Sequence, residues 1–460
     1  MSLSNVAEAL PQTLIEPLNY KLSGSAGYVE TKTSVSFFPS SGNEFSPLGV
    51  RVIRLPFTGD GWLVPESSYL TFAITNRNET ADTSTAQQRI ELLGGVHSVF
   101  GRVRVLAGGT ELESLENFGR LVTQQLLLSP PEFVRNYQSM GVGLRQPFVS
   151  KDFELFDLRW LGPGQTKHVA IPGHMLCGLL GQKNWLPLRL LGPLVLEFEI
   201  IADPSVCCRT GSTGSGSAIT TTFTSNFSIS DVQFKTDLCH LSSEMENSIS
   251  ETLLSGRALT ISLATWSMTA HGIPAGTDDP LVSSQRAVSR LKSVIVSMFS
   301  SRDDENSEIN LFSHPNGKSP NSPVVDTTNF DVIQDSKDPE FQFRLNGEVM
   351  PILPSRNNCE HMIRILQAIG TNLNPMHSVL LADAGFKTKQ FLMGIDTELI
   401  ASVPMTGKNL RVGPSQLSIQ LKNLSQGGTV ATSDQITKIF FASCFDVLLE
   451  LRDTGITVLS

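Results

Sequence analysis

The chain has 460 residues, 17% of them charged and 40% hydrophobic, and a formal net charge of −9. A charged fraction under the ~25% usual for globular domains, together with 25 Phe to fill cores, excludes a disordered chain, which needs high charge and few apolar groups. The acidic balance excludes a whole-molecule field for holding nucleic acid, and the sequence has no run of about 18 apolar residues, so no membrane-spanning helix is predicted.

The stretch from Met1 to Leu10 lacks the basic and long apolar regions of a signal peptide. That predicts a reducing compartment, with Cys177, Cys207, Cys208, Cys239, Cys359 and Cys444 as free thiols; none of them forms a CxxC. Asn5 to Leu10 reads as a short helix stopped by Pro11. Strands are then predicted at Val50–Phe57, Tyr69–Thr75 and Val99–Leu106. In the last of these Val99, Val103 and Val105 share one face, and Arg102 and Arg104 the other. A helix is predicted from Glu113 to Leu128, with Leu115, Phe118, Leu121, Val122, Gln125 and Leu126 at three- and four-residue steps before Pro130 and Pro131. Between Ser129 and Pro193 few clean alternations occur.

Further strands are expected at Leu194–Ile200, Phe227–Phe234, Leu259–Leu263, Ser293–Phe299, Phe341–Leu345, Leu417–Leu421, Ile439–Ser443 and Phe445–Leu451. A second helix is predicted over Asn358–Ile369, capped by Asn358 and ended by Gly370. Arg209–Ser217 and Ser300–Asp338 read as loops. Many short strands between turn-rich links predict an all-β protein of sandwich or jelly-roll type.

The pattern of elements repeats. Val103 to Leu112 is strand, Gly turn and short strand, followed by a helix. Phe341 to Pro351 and the helix near Asn358 have the same order, shifted by roughly 240 residues. Leu194–Ile200, a loop and Phe227–Phe234 are echoed by Leu417–Leu421, a loop and Ile439–Leu451. The seam is expected between Thr236 and Ser250, dividing the chain into residues 1–240 and 241–460.

Catalytic templates are missing. The sequence contains no GxSxG, HExxH, P-loop or GxGxxG. His97 stands just ahead of a predicted strand, which suits a turn or an interface better than catalysis. Cys239 and His240 are strand neighbours and point to opposite faces. Cys359 and His361 diverge at a helix start, although a helix N-terminus could lower the Cys359 thiol pKa. Asp278, Asp279, Asp303, Asp304 and Glu305 fall in polar loops rather than across a cleft. Asn78, Asn226 and Asn423 stand in glycosylation sequons, a pattern common by chance. The reading is of a non-enzyme with no catalytic, cofactor-binding or metal residues and no cofactor. The first twenty residues contain no Lys or Arg, so no basic arm for direct or sequence-specific nucleic-acid binding is expected.

Four blocks then carry a resemblance. They are Phe38–Pro47 with Val52–Pro56 and Trp62–Leu70; Val96–Val105 with Glu113–Phe118; Phe341–Gly347 with Met350–Pro354 and Glu360; and Gly394–Asp396 with Thr406–Gly407, closing on Phe445–Gly455. Together and in this order they resemble the double jelly-roll major capsid proteins of icosahedral DNA viruses, in the lineage of polinton-like viruses, virophages and nucleocytoplasmic large DNA viruses. The resemblance implies two consecutive eight-stranded jelly-roll β-sandwiches with short helical inserts. It further implies a homotrimer with a pseudo-hexameric outline that tiles a shell with neighbouring capsomers and minor capsid or penton proteins. The location would be the virion, after synthesis in the host cytoplasm or nucleus. An inward N-terminus would meet minor proteins or an internal membrane through Leu10, Leu14, Ile15 and Leu18, and Ser300–Asp338 would form an outward tower. Both helices would extend the buried area at subunit seams. The alternatives are a minor capsid, vertex or spike jelly-roll protein, a single jelly-roll capsid protein with a projecting domain, and a carbohydrate-binding β-sandwich.

Overall fold

A computed structural model describes residues 28–78, 89–92, 95–138, 140–142, 160–202, 208–211, 222–285, 287–300, 339–371, 378–381, 390–400, 405–412, 416–424, 435–452 and 455–459. The expected N-terminal helix, the apolar arm from Leu10 to Leu18, the acidic cluster at Asp303 and nearly all of Ser300–Asp338 lie outside the described residues.

The first half builds β1 (Val29–Phe37), β2 (Glu44–Phe45), β3 (Val52–Phe57), β4 (Trp62–Asn76), β5 (Arg89–Leu92), β6 (Phe100–Ala107) and β7 (Thr110–Glu116). Helices α1 (Phe118–Leu127) and α2 (Pro131–Gln138) follow, then β8 (Trp160–Leu161), β9 (Thr166–Pro172), α3 (Gly178–Gly181), β10 (Leu186–Pro187), α4 (Leu188–Leu191), β11 (Leu194–Ile200), β12 (Cys208–Gly211), β13 (Thr222–Phe223) and β14 (Phe227–Leu241). Helix α5 (Ser243–Leu254) leads into the second half. There β15 (Leu259–Gly272), β16 (Leu281–Gln285), β17 (Leu291–Ser300), β18 (Glu340–Leu345), β19 (Glu348–Ser355), α6 (Asn358–Ala368), β20 (Leu392–Asp396), β21 (Gln416–Lys422), β22 (Ile436–Arg452) and β23 (Gly455–Leu459) follow in order.

The pairing repeats strand for strand. One sheet of the first half runs β1-β14-β4, with β9 on the far side of β4, and the facing sheet runs β3-β11-β6-β7. In the second half the sheets run β15-β22-β17-β20 and β16-β21-β18-β19. Eight strands of one half thus match eight of the other, all antiparallel: β1 with β15, β3 with β16, β4 with β17, β6 with β18, β7 with β19, β9 with β20, β11 with β21 and β14 with β22. Each set is a jelly roll, two sheets closed over one core. Strands β1, β9, β16 and β20 are missing from the sequence reading; in β9 the buried Val169 and Ile171 give an alternation too short to stand out. Among the described residues no ladder joins a strand before Leu241 to one after Leu259.

Both hairpins use turns with positive φ at two residues, Gly108 and Gly109 in the first and Asn346 and Gly347 in the second. Such turns match the right-handed twist of the flanking strands. Phenylalanine dominates the cores: Phe57 lies 4.9 Å from Phe37 and 4.6 Å from Phe234, and Phe100 lies 5.0 Å from Phe198.

Four expectations need correction. The helix predicted from Glu113 starts at Phe118, because the Gly108-Gly109 turn folds Thr110–Glu116 back on β6 and Asn117, at φ 51°, separates strand from helix. The cap of α6 is Asn357, whose Oδ1 accepts the Glu360 amide at 2.8 Å, not Asn358, which is buried. Ile439–Ser443 and Phe445–Leu451 form one continuous strand, β22. The stretch expected as a loop from Arg209 begins as a strand, β12 (Cys208–Gly211).

Candidate functional site

The residues tested for chemistry are dispersed. His97 is fully buried in a 3-10 turn, its Nε2 3.3 Å from Thr123 Oγ1, and burial pushes its pKa down to about 3. Cys239 is buried while His240 is exposed, and Cys359 is exposed while His361 is buried between Phe341 and Phe391, so neither pair can act together. Cys177, Cys239, Cys359 and Cys444 are free thiols. Burial raises the pKa of Cys177, Cys239 and Cys444, so none of these three is poised as a thiolate. Asp279 lies on an exposed loop, where it accepts the Asn423 amide at 3.4 Å. Asn226 donates to the side-chain oxygen of Asn78 at 3.0 Å, which ties two sequon residues to each other. Among the described residues no three His, Cys, Asp or Glu side chains gather as a metal site, and no helix is long and apolar enough to cross a membrane.

The alternating arginines have a structural use. On the outer face of the β3-β11-β6-β7 sheet, Glu197 pairs with Arg54 at 2.8 Å and with Arg104, while Glu199 pairs with Arg51 at 2.7 Å and Arg102 at 3.8 Å. Burial pushes the Glu197 carboxyl up, but hydrogen bonds and charge from Arg104 and Arg54 outweigh it and leave the pKa below the ordinary value. These arginines are spent within the sheet.

What the geometry does assemble is the contact between the two rolls. Glu113, on β7, is buried at the meeting of three elements. Its carboxylate accepts the amides of Gly178 at 2.9 Å and Leu179 at 2.5 Å, and the hydroxyl of Thr265, on β15 of the second roll, at 2.9 Å. Burial raises its pKa, and the three donors pull it part of the way back. Gly178 meets Ala264 so closely that a Cβ would stand 2.2 Å from the Ala264 carbonyl oxygen; only glycine fits there.

Helix α1 completes the seam. Arg120 is buried with its guanidinium 4.0 Å from the ring centre of Phe299 and 4.9 Å from that of Phe440, both on the second roll. Asn117 Nδ2 donates to the Met268 carbonyl at 3.3 Å, and the amides of Leu380 and Leu381 donate to the carbonyls of Ser129 and Leu127 at 2.9 and 3.1 Å. Every residue of α1 except Gln125 is buried, so this helix fills a seam within the chain and leaves nothing for one between chains. Sequence reading found the helix but not its partner, because Glu113, Gly178 and Thr265 carry no local signal of their meeting.

A second structural feature lies at one end of the first roll. The links that follow β4, α2 and β11 come together there as a small antiparallel sheet, β13-β12-β5-β8.

Two jelly rolls of one strand order, joined in a single chain, define the double jelly-roll fold. Solved structures of that kind match over nearly the whole chain. The major capsid protein of Faustovirus superposes with a TM-score of 0.60 at 9% identity, covering 98% of this chain and 94% of that one. The PBCV-1 VP54 structure fitted into the virophage Sputnik gives 0.56 at 10% identity, with 94% and 97% covered. The Sputnik virophage structure gives 0.54 at 9% identity, with 98% and 92% covered. At such identity the likeness is one of fold. No family model matches the sequence, and no curated protein matches it.

Proposed function

We propose that this chain is a structural virion protein, a major capsid protein whose homotrimers form pseudo-hexameric capsomers of an icosahedral shell. The observation that carries the reading is the correspondence of fold over nearly the full length: two rolls of identical strand order, matching the Faustovirus major capsid protein over 98% of this chain and 94% of that one. An enzyme would need a cleft with convergent reactive groups, and the described histidines, thiols and carboxylates are scattered or buried singly. A charged fraction of 17% suits a chain that buries much of its flank in an obligate assembly. The chain divides near residue 240, with α5 as the connection between rolls. Neighbouring capsomers and minor or penton proteins are the partners of the assembled form, which resides in the virion.

The test is the mass of the purified chain by light scattering, together with negative-stain imaging. A trimer with a hexagonal outline is expected; a stable monomer refutes the reading. Copy number in purified particles separates a major from a minor capsid protein, since the major one dominates the gel. Clear binding on a glycan array by a monomeric chain would favour the carbohydrate-binding alternative.

A further inference from the structure

The match between the rolls makes the seam within the chain a template for a surface the chain leaves open. In that seam the β7–α1 flank of the first roll covers the β15 edge of the second. Leu112, Glu113 and Leu115 on β7 are buried, as are Ile261, Leu263 and Thr265 on β15. The corresponding flank of the second roll is β19 with α6, and the corresponding edge of the first roll is β1. Both are uncovered. Of β1 only Phe37 is buried, and Thr31 and Thr33 are exposed, whereas Ile261, Leu263 and Thr265 of β15 are closed. Of α6 only Asn358, His361 and Ile365 are buried, leaving Cys359, Ile363 and Gln367 on an open face.

The open flank is also apolar where it projects furthest. Register between β18 and β19 runs from Phe343–Met350 to Phe341–Ser355, so four residues, Pro351, Ile352, Leu353 and Pro354, bulge opposite Gln342. Gln342 Nε2 holds the bulge by donating to the carbonyls of Pro351 and Ile352, each at 3.0 Å. Ile352 is 87% exposed and Leu353 76%, and Ile363 on α6 is half exposed. Two prolines keep this edge from pairing as a strand, so it is built to be covered by side-chain packing.

We propose that the β19–α6 flank, led by Ile352, Leu353 and Ile363, is the docking surface for the β1 edge of a second copy of this chain. The two open surfaces are different from each other and correspond to the two sides of the chain's own seam, which makes the contact head-to-tail; head-to-tail contacts give rings where the rotation closes. The inference rests on the capsomer reading and names its contact surfaces.

The exposed thiol of Cys359 supplies the test. Thr33→Cys is made in the full chain with Cys207→Ser and Cys208→Ser, and the purified oligomer is treated with a short bis-maleimide linker. Covalent dimers and trimers are expected on a denaturing gel, and they disappear when Cys359→Ser is added. In parallel, Ile352→Glu with Leu353→Glu is expected to convert the trimer peak to monomer while circular dichroism and the melting temperature of the monomer stay native. A parent trimer that shows no cross-link and survives the double glutamate variant overturns this surface and leaves the capsomer reading standing. A link formed only within one chain also overturns it. A parent that is monomeric by light scattering overturns both.

Discussion

Glu113 offers the most direct measure of how the two rolls are held. Glu113→Ala removes the common acceptor of three buried donors, the amides of Gly178 and Leu179 and the Thr265 hydroxyl. A buried donor left without an acceptor costs about 1–3 kcal/mol. A cavity of about 230 Å³ beside the site, lined by Cys177, Gly178 and Trp266, gives water room to replace part of the loss. The expected net cost is roughly 3–5 kcal/mol. Glu113→Gln keeps one acceptor oxygen and should cost about 1–2 kcal/mol. Urea unfolding followed by fluorescence reads the change, with Trp266 reporting from the seam. A double-mutant cycle with Thr265→Val should return a coupling of about 1–2 kcal/mol across the two rolls. The sign of the pH dependence follows from burial. The folded carboxyl has a raised pKa, so its stabilising share is complete below the unfolded value and is lost as pH rises through the folded one. Glu113→Gln therefore gains on the parent as pH rises. If Glu113→Ala stays within 1 kcal/mol of the parent, the carboxylate is not the clasp described above.

Other outcomes follow from the same packing. Arg120→Ala should destabilise by about 2 kcal/mol or more, and Arg120→Lys should fail to restore it, because a compact ammonium does not reproduce the guanidinium's contact with both the Phe299 and Phe440 rings; thermal melts check both. His361, with its pKa lowered to about 4 by burial, takes up its proton more readily unfolded than folded, so stability falls as pH drops from the unfolded value near 6.5 toward 4. His361→Leu should remove roughly 3 kcal/mol of that acid-dependent loss in denaturation series across this range. In the monomeric Ile352→Glu, Leu353→Glu variant Cys359 should react with a maleimide within minutes, while Cys177, Cys239 and Cys444 react only on unfolding, as mass spectrometry would record.

Much of this architecture is legible along the chain. Period-two alternation marks Val52–Phe57, Phe100–Ala107, Leu194–Ile200 and Gln416–Lys422, because each has one face on a core and the other outside. The duplication is legible because the hairpin and the helix after it are local units with turn signals of their own. Thr166–Pro172 is not, because its buried face shows only Val169 and Ile171 between a lysine, a histidine and a proline. The helix boundary at Phe118 is also hidden: Leu115 continues a helical spacing by chance while its backbone pairs with Val103. The seam is the least legible part. A buried carboxylate on a strand looks in sequence like any surface Glu, and only the approach of Gly178 and Thr265 distinguishes it.

The difference between the two hairpins carries the last step. The register that puts Glu113 opposite Val105 puts Met350 opposite Phe343, so the polar clasp of the first roll has an apolar counterpart followed by Pro351, Ile352, Leu353 and Pro354. A seam between two parts of one chain forms at high effective concentration and can accommodate a buried carboxyl whose desolvation is only partly offset by three fixed donors. A seam between separate chains must also overcome the lost freedom of association, and apolar burial, at about 25 cal/mol per Å², supplies that without an uncompensated charge. Two flanks of common layout have therefore diverged in the direction that their two kinds of partner require. Ile352→Glu with Leu353→Glu reverses that divergence at the open flank alone, which is why it should abolish association and leave the fold intact.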